Sequence, residues 1–144
     1  MVKPTAALVD QLRALLDADG TAELERVLAT RAPDLTDLLL RAVRNAERPL
    51  ERTVLATACR GACARLRQRY PGATIELRVP PFAAAQIGFG TGPRHTRGTP
   101  PNVVEFSPEE FLDLVVGTSR LNATPRRASG VHADEAAAAF PLIA

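Results

Sequence analysis

Between residues 90 and 101 the chain reads Gly90-Thr-Gly-Pro-Arg-His-Thr-Arg-Gly-Thr-Pro-Pro101, which sets Arg94, His95 and Arg97 among three glycines and three prolines. Two guanidiniums and an imidazole at this spacing can grip a carboxylate or a phosphate, each guanidinium offering parallel N–H donors. Thr96 and Thr99, with N–H groups of the loop backbone, supply the further donors that such a site needs. A segment of this composition cannot be helical and holds nothing apolar enough for a core. It reads as a surface loop with a specified path. The alternative is that the arginines pair with Glu76, Glu105 or Glu109 and the loop only shapes a connection.

Other constellations carry less. Cys59 and Cys63 stand four residues apart on one helical face, but a soft metal site wants three or four ligands. His95 and His132 are the only histidines and neither lies at ligand spacing from another donor. Both cysteines border the apolar stripe of Leu55, Ala62 and Leu66, so they read as buried, reduced core residues and no metal or cofactor is expected. Gly88-Phe-Gly90-Thr-Gly92 imitates a nucleotide-binding glycine run. A dinucleotide fingerprint would have to open a helix, and here Pro93 follows; the Gly-Lys-Ser/Thr of a phosphate-binding loop is absent. Arg60, Arg65, Arg67 and Arg69 crowd the end of one helix, where cations meet the helix dipole favourably. They lack an aromatic stacking platform, and the net charge is only +2, so a solvated basic face is expected and nucleic acid is not. No nucleophile–base pair, paired carboxylates or metal ligands assemble near the loop, so the chain reads as non-enzymatic.

The elements that position the loop follow from periodicity. Residues 1–70 are helical: Leu8, Leu12, Leu15 and Leu16 form an apolar face, Asp19-Gly20-Thr21 ends it, and Thr21 caps a second helix carrying Leu24, Val27 and Leu28. Pro33 and Pro49 suit first turns of a third and a fourth helix, the last running through Leu50, Val54, Leu55, Ala58, Ala62 and Leu66. After Tyr70-Pro71-Gly72 the period changes to two over Thr74–Val79, the mark of a half-buried strand. Phe82–Gly88 and Asn102–Phe106 are expected as further strands. Ser107, Pro108 and Glu110 then make an N-cap, a first-turn proline and a capping box, with Phe106 and Phe111 as a hydrophobic staple. Gly117 ends that helix. Residues 118–130 read as a loop with one short strand near Arg126–Ser129, and a small helix covers about 133–139.

With 144 residues, 46% hydrophobic and 24% charged, the chain fits one domain that buries roughly 70% of its unfolded surface. Asp10 interrupts the first apolar stretch, and no apolar run approaches the length needed to cross a bilayer. A cytoplasmic protein without integral membrane association is expected.

From Glu76-Leu-Arg-Val-Pro-Pro-Phe82 through the loop to Asn102-Val-Val-Glu105, the chain resembles small bacterial proteins described as sterol-carrier-like. Ala128-Ser-Gly-Val-His-Ala-Asp134 and Phe140-Pro-Leu-Ile143 resemble that family's closing segment, so the resemblance covers about residues 70–144. It implies an α+β fold with a sterol-carrier-type mixed or antiparallel sheet, helices on one face and an apolar cavity for lipid-like ligands. About four N-terminal helices precede it here. Residues 1–70 and 71–144 are expected to form one domain, a helical part and a sterol-carrier-like part. The cavity would be lined by Phe111, Leu114 and Phe140, with Ile75, Leu77, Ile87, Val103 and Val115, each equally an ordinary core residue. Family members tend to have a longer segment between Gly117 and Ala128, with a tryptophan that this chain lacks. Two readings stay open: a carrier whose loop arginines hold an acidic head group, or a protein–protein interaction module with a filled cavity and a structural loop. In either, the N-terminal helices offer a face for a homodimer or a protein partner.

Overall fold

The computed structural model of the protein describes residues 1–89 and 102–143. Four helices lead: α1 (Ala6–Leu15), α2 (Ala18–Leu28), α3 (Thr36–Asn45) and α4 (Arg52–Arg69). Strands β1 (Ile75–Val79), β2 (Ala83–Ile87) and β3 (Asn102–Glu105) follow, then α5 (Pro108–Val116) and β4 (Arg127–Ser129). Single turns of 3₁₀ helix lie at Leu121–Ala123, and a longer 3₁₀ stretch at Ala133–Ala139. The sheet is mixed, in the order β2-β1-β3-β4, with only β1 and β3 parallel.

The caps explain where the helices begin. The break between α1 and α2 falls earlier than Asp19-Gly20-Thr21, because the Asp17 carboxylate accepts the Gly20 N–H at 2.7 Å and opens α2 there. Gly20 thus sits in the first turn, where a Cβ would come within 2.9 Å of the Leu16 side chain. Neither Pro33 nor Pro49 occupies a first turn. Asp34 gathers the N–H and hydroxyl of Thr36 and so orders the start of α3, while Glu51 accepts from Thr53 and Val54 and opens α4. Each of these carboxylates satisfies donors that a proline would merely omit. The start of α5 follows the sequence closely. Ser107 accepts the Glu110 N–H at 3.4 Å and donates its hydroxyl to the Glu110 carboxylate at 2.8 Å, and Gly117 ends the helix at φ 82°.

Strand alternation sorts the sheet into two faces. Ile75, Leu77 and Val79 are buried and sit level with Ile87, Ala85 and Ala83 of β2. Glu76 and Arg78 point the other way, level with Val103 and Glu105 of β3. Val103 therefore belongs to the outer, half-buried face and not to the core face expected for it. Helix α4 packs along β2, and α5 packs on α3 and α4. Leucines of α1 to α4, the inner sheet residues and Phe111 to Val116 form one continuous buried cluster.

The arginines at the end of α4 are not simply solvated. Arg65 bonds Asp37 at 2.7 Å on α3, Arg67 donates to the Ala84 carbonyl of β2 at 2.9 Å, and Arg69 donates to the Leu142 carbonyl at 2.6 Å. Their long side chains reach α3, β2 and the C-terminal tail, a use of arginine that helix periodicity cannot show.

Candidate functional site

One end of the sheet collects the features that could place the glycine–arginine segment. Ile75 is level with Ile87 on one side and with Asn102 on the other. The strand running into residues 88–101 and the strand emerging from them thus stand two strand spacings apart, about 10 Å. The Tyr70 carbonyl accepts the Gly88 N–H at 3.1 Å, and the Tyr70 ring leans on Phe89 with centroids 5.2 Å apart. Gly72 permits this closeness: a Cβ there would approach the Gly88 Cα to 2.9 Å.

Asn102 ties the same end together. It is 2% exposed; its Nδ2 donates to the Thr74 carbonyl at 3.0 Å and its Oδ1 accepts the His132 N–H at 2.9 Å. One side chain so joins the start of β1, the start of β3 and the turn after β4. The His132 Nδ1 in turn lies 2.7 Å from the Glu135 carboxylate. Asn102 is not among the candidates that the sequence offers. Its signal is a polar residue at an inward-facing strand position, two before the buried Val104.

Arg94, His95, Thr96, Arg97 and Thr99 lie outside the described residues. The acidic groups expected as their structural partners do have positions. Glu76 pairs with Arg78 at 2.6 Å. Glu109 pairs with Arg48 and accepts the Leu50 N–H at 3.1 Å. Glu105 lies level with Arg127 across the β3–β4 pair.

The apolar candidates sit further along the sheet. Phe111 and Leu114 are fully buried, and Phe140 is half-buried. Phe111 and Phe140 meet edge to face at 6.2 Å, and Phe106 joins both, an arrangement that suits aromatic quadrupoles. Phe106 is four residues beyond Asn102, about 13 Å along the strand. The loop anchors and the aromatic cluster therefore mark the two ends of one apolar layer. Two clefts formed by described residues, of about 500 Å³ and 410 Å³, lie instead among the N-terminal helices, and Phe111, Leu114 and Phe140 line neither.

Cys59 and Cys63 are buried in that layer and unbonded to each other. Burial pushes both thiols up to about 12; for Cys59 the neighbouring Cys63 and Glu109 add to it. Since the thiolate is the reactive form, a thiol reagent should label native protein slowly and take up two equivalents after denaturation. Fast native labelling would contradict the packing of α4. Among the described residues no three His, Cys, Asp or Glu side chains cluster as a metal site, and no helix is long and apolar enough to cross a membrane.

A family model described as "Bacterial SCP ortholog" matches residues 51–142, from the N-cap of α4 to the tail beside Val115. No curated protein matches the chain.

Proposed function

The chain belongs to this bacterial sterol-carrier-protein ortholog family, and on that premise we propose that it binds or carries a lipid-like small molecule in the cytoplasm without transforming it. The ligand's acidic head group is held by Arg94 and Arg97, with His95, Thr96 and Thr99 completing the donor set. Its apolar tail lies in the layer that runs from Ile75 towards Phe111, Leu114 and Phe140. The two ends of that layer stand about 13 Å apart, which sets the length of tail it would take. The observation that carries the reading is electrostatic. Glu76 and Glu109, two of the carboxylates that would otherwise satisfy the loop arginines, are bonded to Arg78 and Arg48. Two of the three carboxylates expected as structural partners already have arginines of their own, which favours an anion from outside for Arg94 and Arg97.

A second reading has its own support. Phe106, Phe111 and Phe140 fill the far end of the layer against one another, as they would in an interaction module with no ligand space. The double change Arg94→Ala/Arg97→Ala separates the two. Under the carrier reading, a saturable fluorescent fatty acid loses at least tenfold in affinity, in line with about 1.5–3 kcal/mol for a hydrogen bond to a charged group, and the melting temperature stays put. Under the other reading no fatty acid, sterol or phospholipid binds saturably, and removing two structural arginines lowers the melting temperature. Native mass spectrometry of freshly purified protein gives an independent view of any lipid retained.

A further inference from the structure

The cleft of about 410 Å³ lies between α1 and the connection from α3 to α4, largely outside the segment that matches the family. Its floor is apolar: Ala14, Leu15, Ala46, Leu50 and Val54. Leu15 is 37% exposed there, one of the few large apolar side chains left open to solvent. The size falls within the range of small-molecule pockets, and an apolar floor with a few polar groups at the edge is their usual composition.

Charge at the rim has one sign. Glu47 and Glu51 are the ionisable residues lining the cleft. The nearby cations are turned elsewhere: Arg13 pairs with Glu25 on α2, Arg48 with Glu109 and Asp113 on α5, and Arg52 lies over the Phe82 ring at 5.0 Å. Gln11 closes one end, donating to Glu51 Oε2 and Thr53 Oγ1, both at 2.9 Å. The Thr53 hydroxyl and N–H, with the Val54 N–H and the Gln11 amide, hold the Glu51 carboxyl below the usual glutamate value. A negative rim on a chain of net charge +2 is a local specialisation.

We infer that this cleft is a second ligand site, selective for a single-chain amphipathic cation: an alkyl or aryl tail on the Leu15–Val54 floor and an ammonium group between Glu47 and Glu51. An anionic amphiphile, which the arginine loop would favour, is excluded here by the same two carboxylates. The site does not depend on the carrier reading, since no residue of the loop or of the sheet contributes to it.

The test uses the full chain with two probes of equal tail length, dodecyltrimethylammonium and dodecyl sulfate, below their micellar concentrations. Titration calorimetry should give one saturable site for the ammonium and a sulfate affinity at least tenfold weaker in the Arg94→Ala/Arg97→Ala background, which removes the loop as a competing anion site. Leu15→Arg, on an exposed position that folding tolerates, should abolish ammonium binding. Glu47→Gln should weaken it roughly threefold, the effect of one exposed ion pair. Equal affinities for the two probes, ammonium binding that survives Leu15→Arg, or no saturable ammonium binding at all would each overturn the assignment. Loss of fatty-acid binding in the arginine variant, with ammonium binding unchanged, bears on the carrier reading alone.

Discussion

Expressed without its first 70 residues, the chain should aggregate or unfold without cooperativity. The inner face of the sheet is completed by Val54, Ala58, Cys59, Ala62, Cys63 and Leu66 of α4, and α5 rests on α3 and α4. Removing these helices returns Ile75, Leu77, Val79, Ile87 and much of Phe111 to Val116 to water. Each large side chain contributes about 1.5–3 kcal/mol by burial, so losing even half of that for six of them removes about 4.5–9 kcal/mol, as much as many domains have in a typical stability of about 5–15 kcal/mol. Arg67 and Arg69 would go too, and with them the bonds that brace β2 and the C-terminal tail. Urea unfolding followed by circular dichroism decides it. A soluble 71–144 fragment with a single cooperative transition would show that the helical half is a separate domain, contrary to our proposal that the two halves share one core.

Phe111→Ala carries the second large effect, a loss of about 3–5 kcal/mol in unfolding free energy. The ring is fully buried and lies 6.2 Å from both Phe106 and Phe140, so truncation leaves a cavity that rigid neighbours cannot fill. Phe111→Leu should cost much less, because most of the volume remains. The size of the loss also tests the site. If Phe111 lines a space that a ligand normally occupies, its truncation enlarges an existing void and costs little beyond the lost transfer free energy, so a loss of about 1.5–3 kcal/mol would be measured in ligand-free protein. A loss in the upper range instead means that a ligand tail must displace packed side chains.

Local rules carried the reading furthest where one residue type had one physical use. Ser107, Pro108, Glu110 and Gly117 delimit α5 as expected, and the alternation of Ile75, Leu77 and Val79 gives both the strand and its inner face. They failed where two residues competed for one role. Asp17 displaced Thr21 as a cap, and Asp34 and Glu51 displaced the prolines, because a carboxylate that accepts several N–H groups outweighs a preset φ. Strand order and the inward turn of Asn102 depend on pairing between distant segments, which no window of sequence contains. Val103 is apolar, which suggests the core, yet the register with Glu76 puts it outside. The arginines of the candidate site lie outside the described residues. The anchorage of the segment that carries them was not legible in the sequence, since it rests on Tyr70, Gly72 and Asn102 meeting across the sheet end.

That anchorage separates what the fold must keep from what it can vary. Both ends of the 88–101 connection are level with a single residue, Ile75, so the register of three strands is settled without reference to what lies between them. Any insert able to bridge about 10 Å satisfies the sheet, and doubling its length adds only about 0.6 kcal/mol of closure entropy. Selection can therefore rewrite the composition of this segment, in charge, length or donor pattern, while leaving the folding problem already solved.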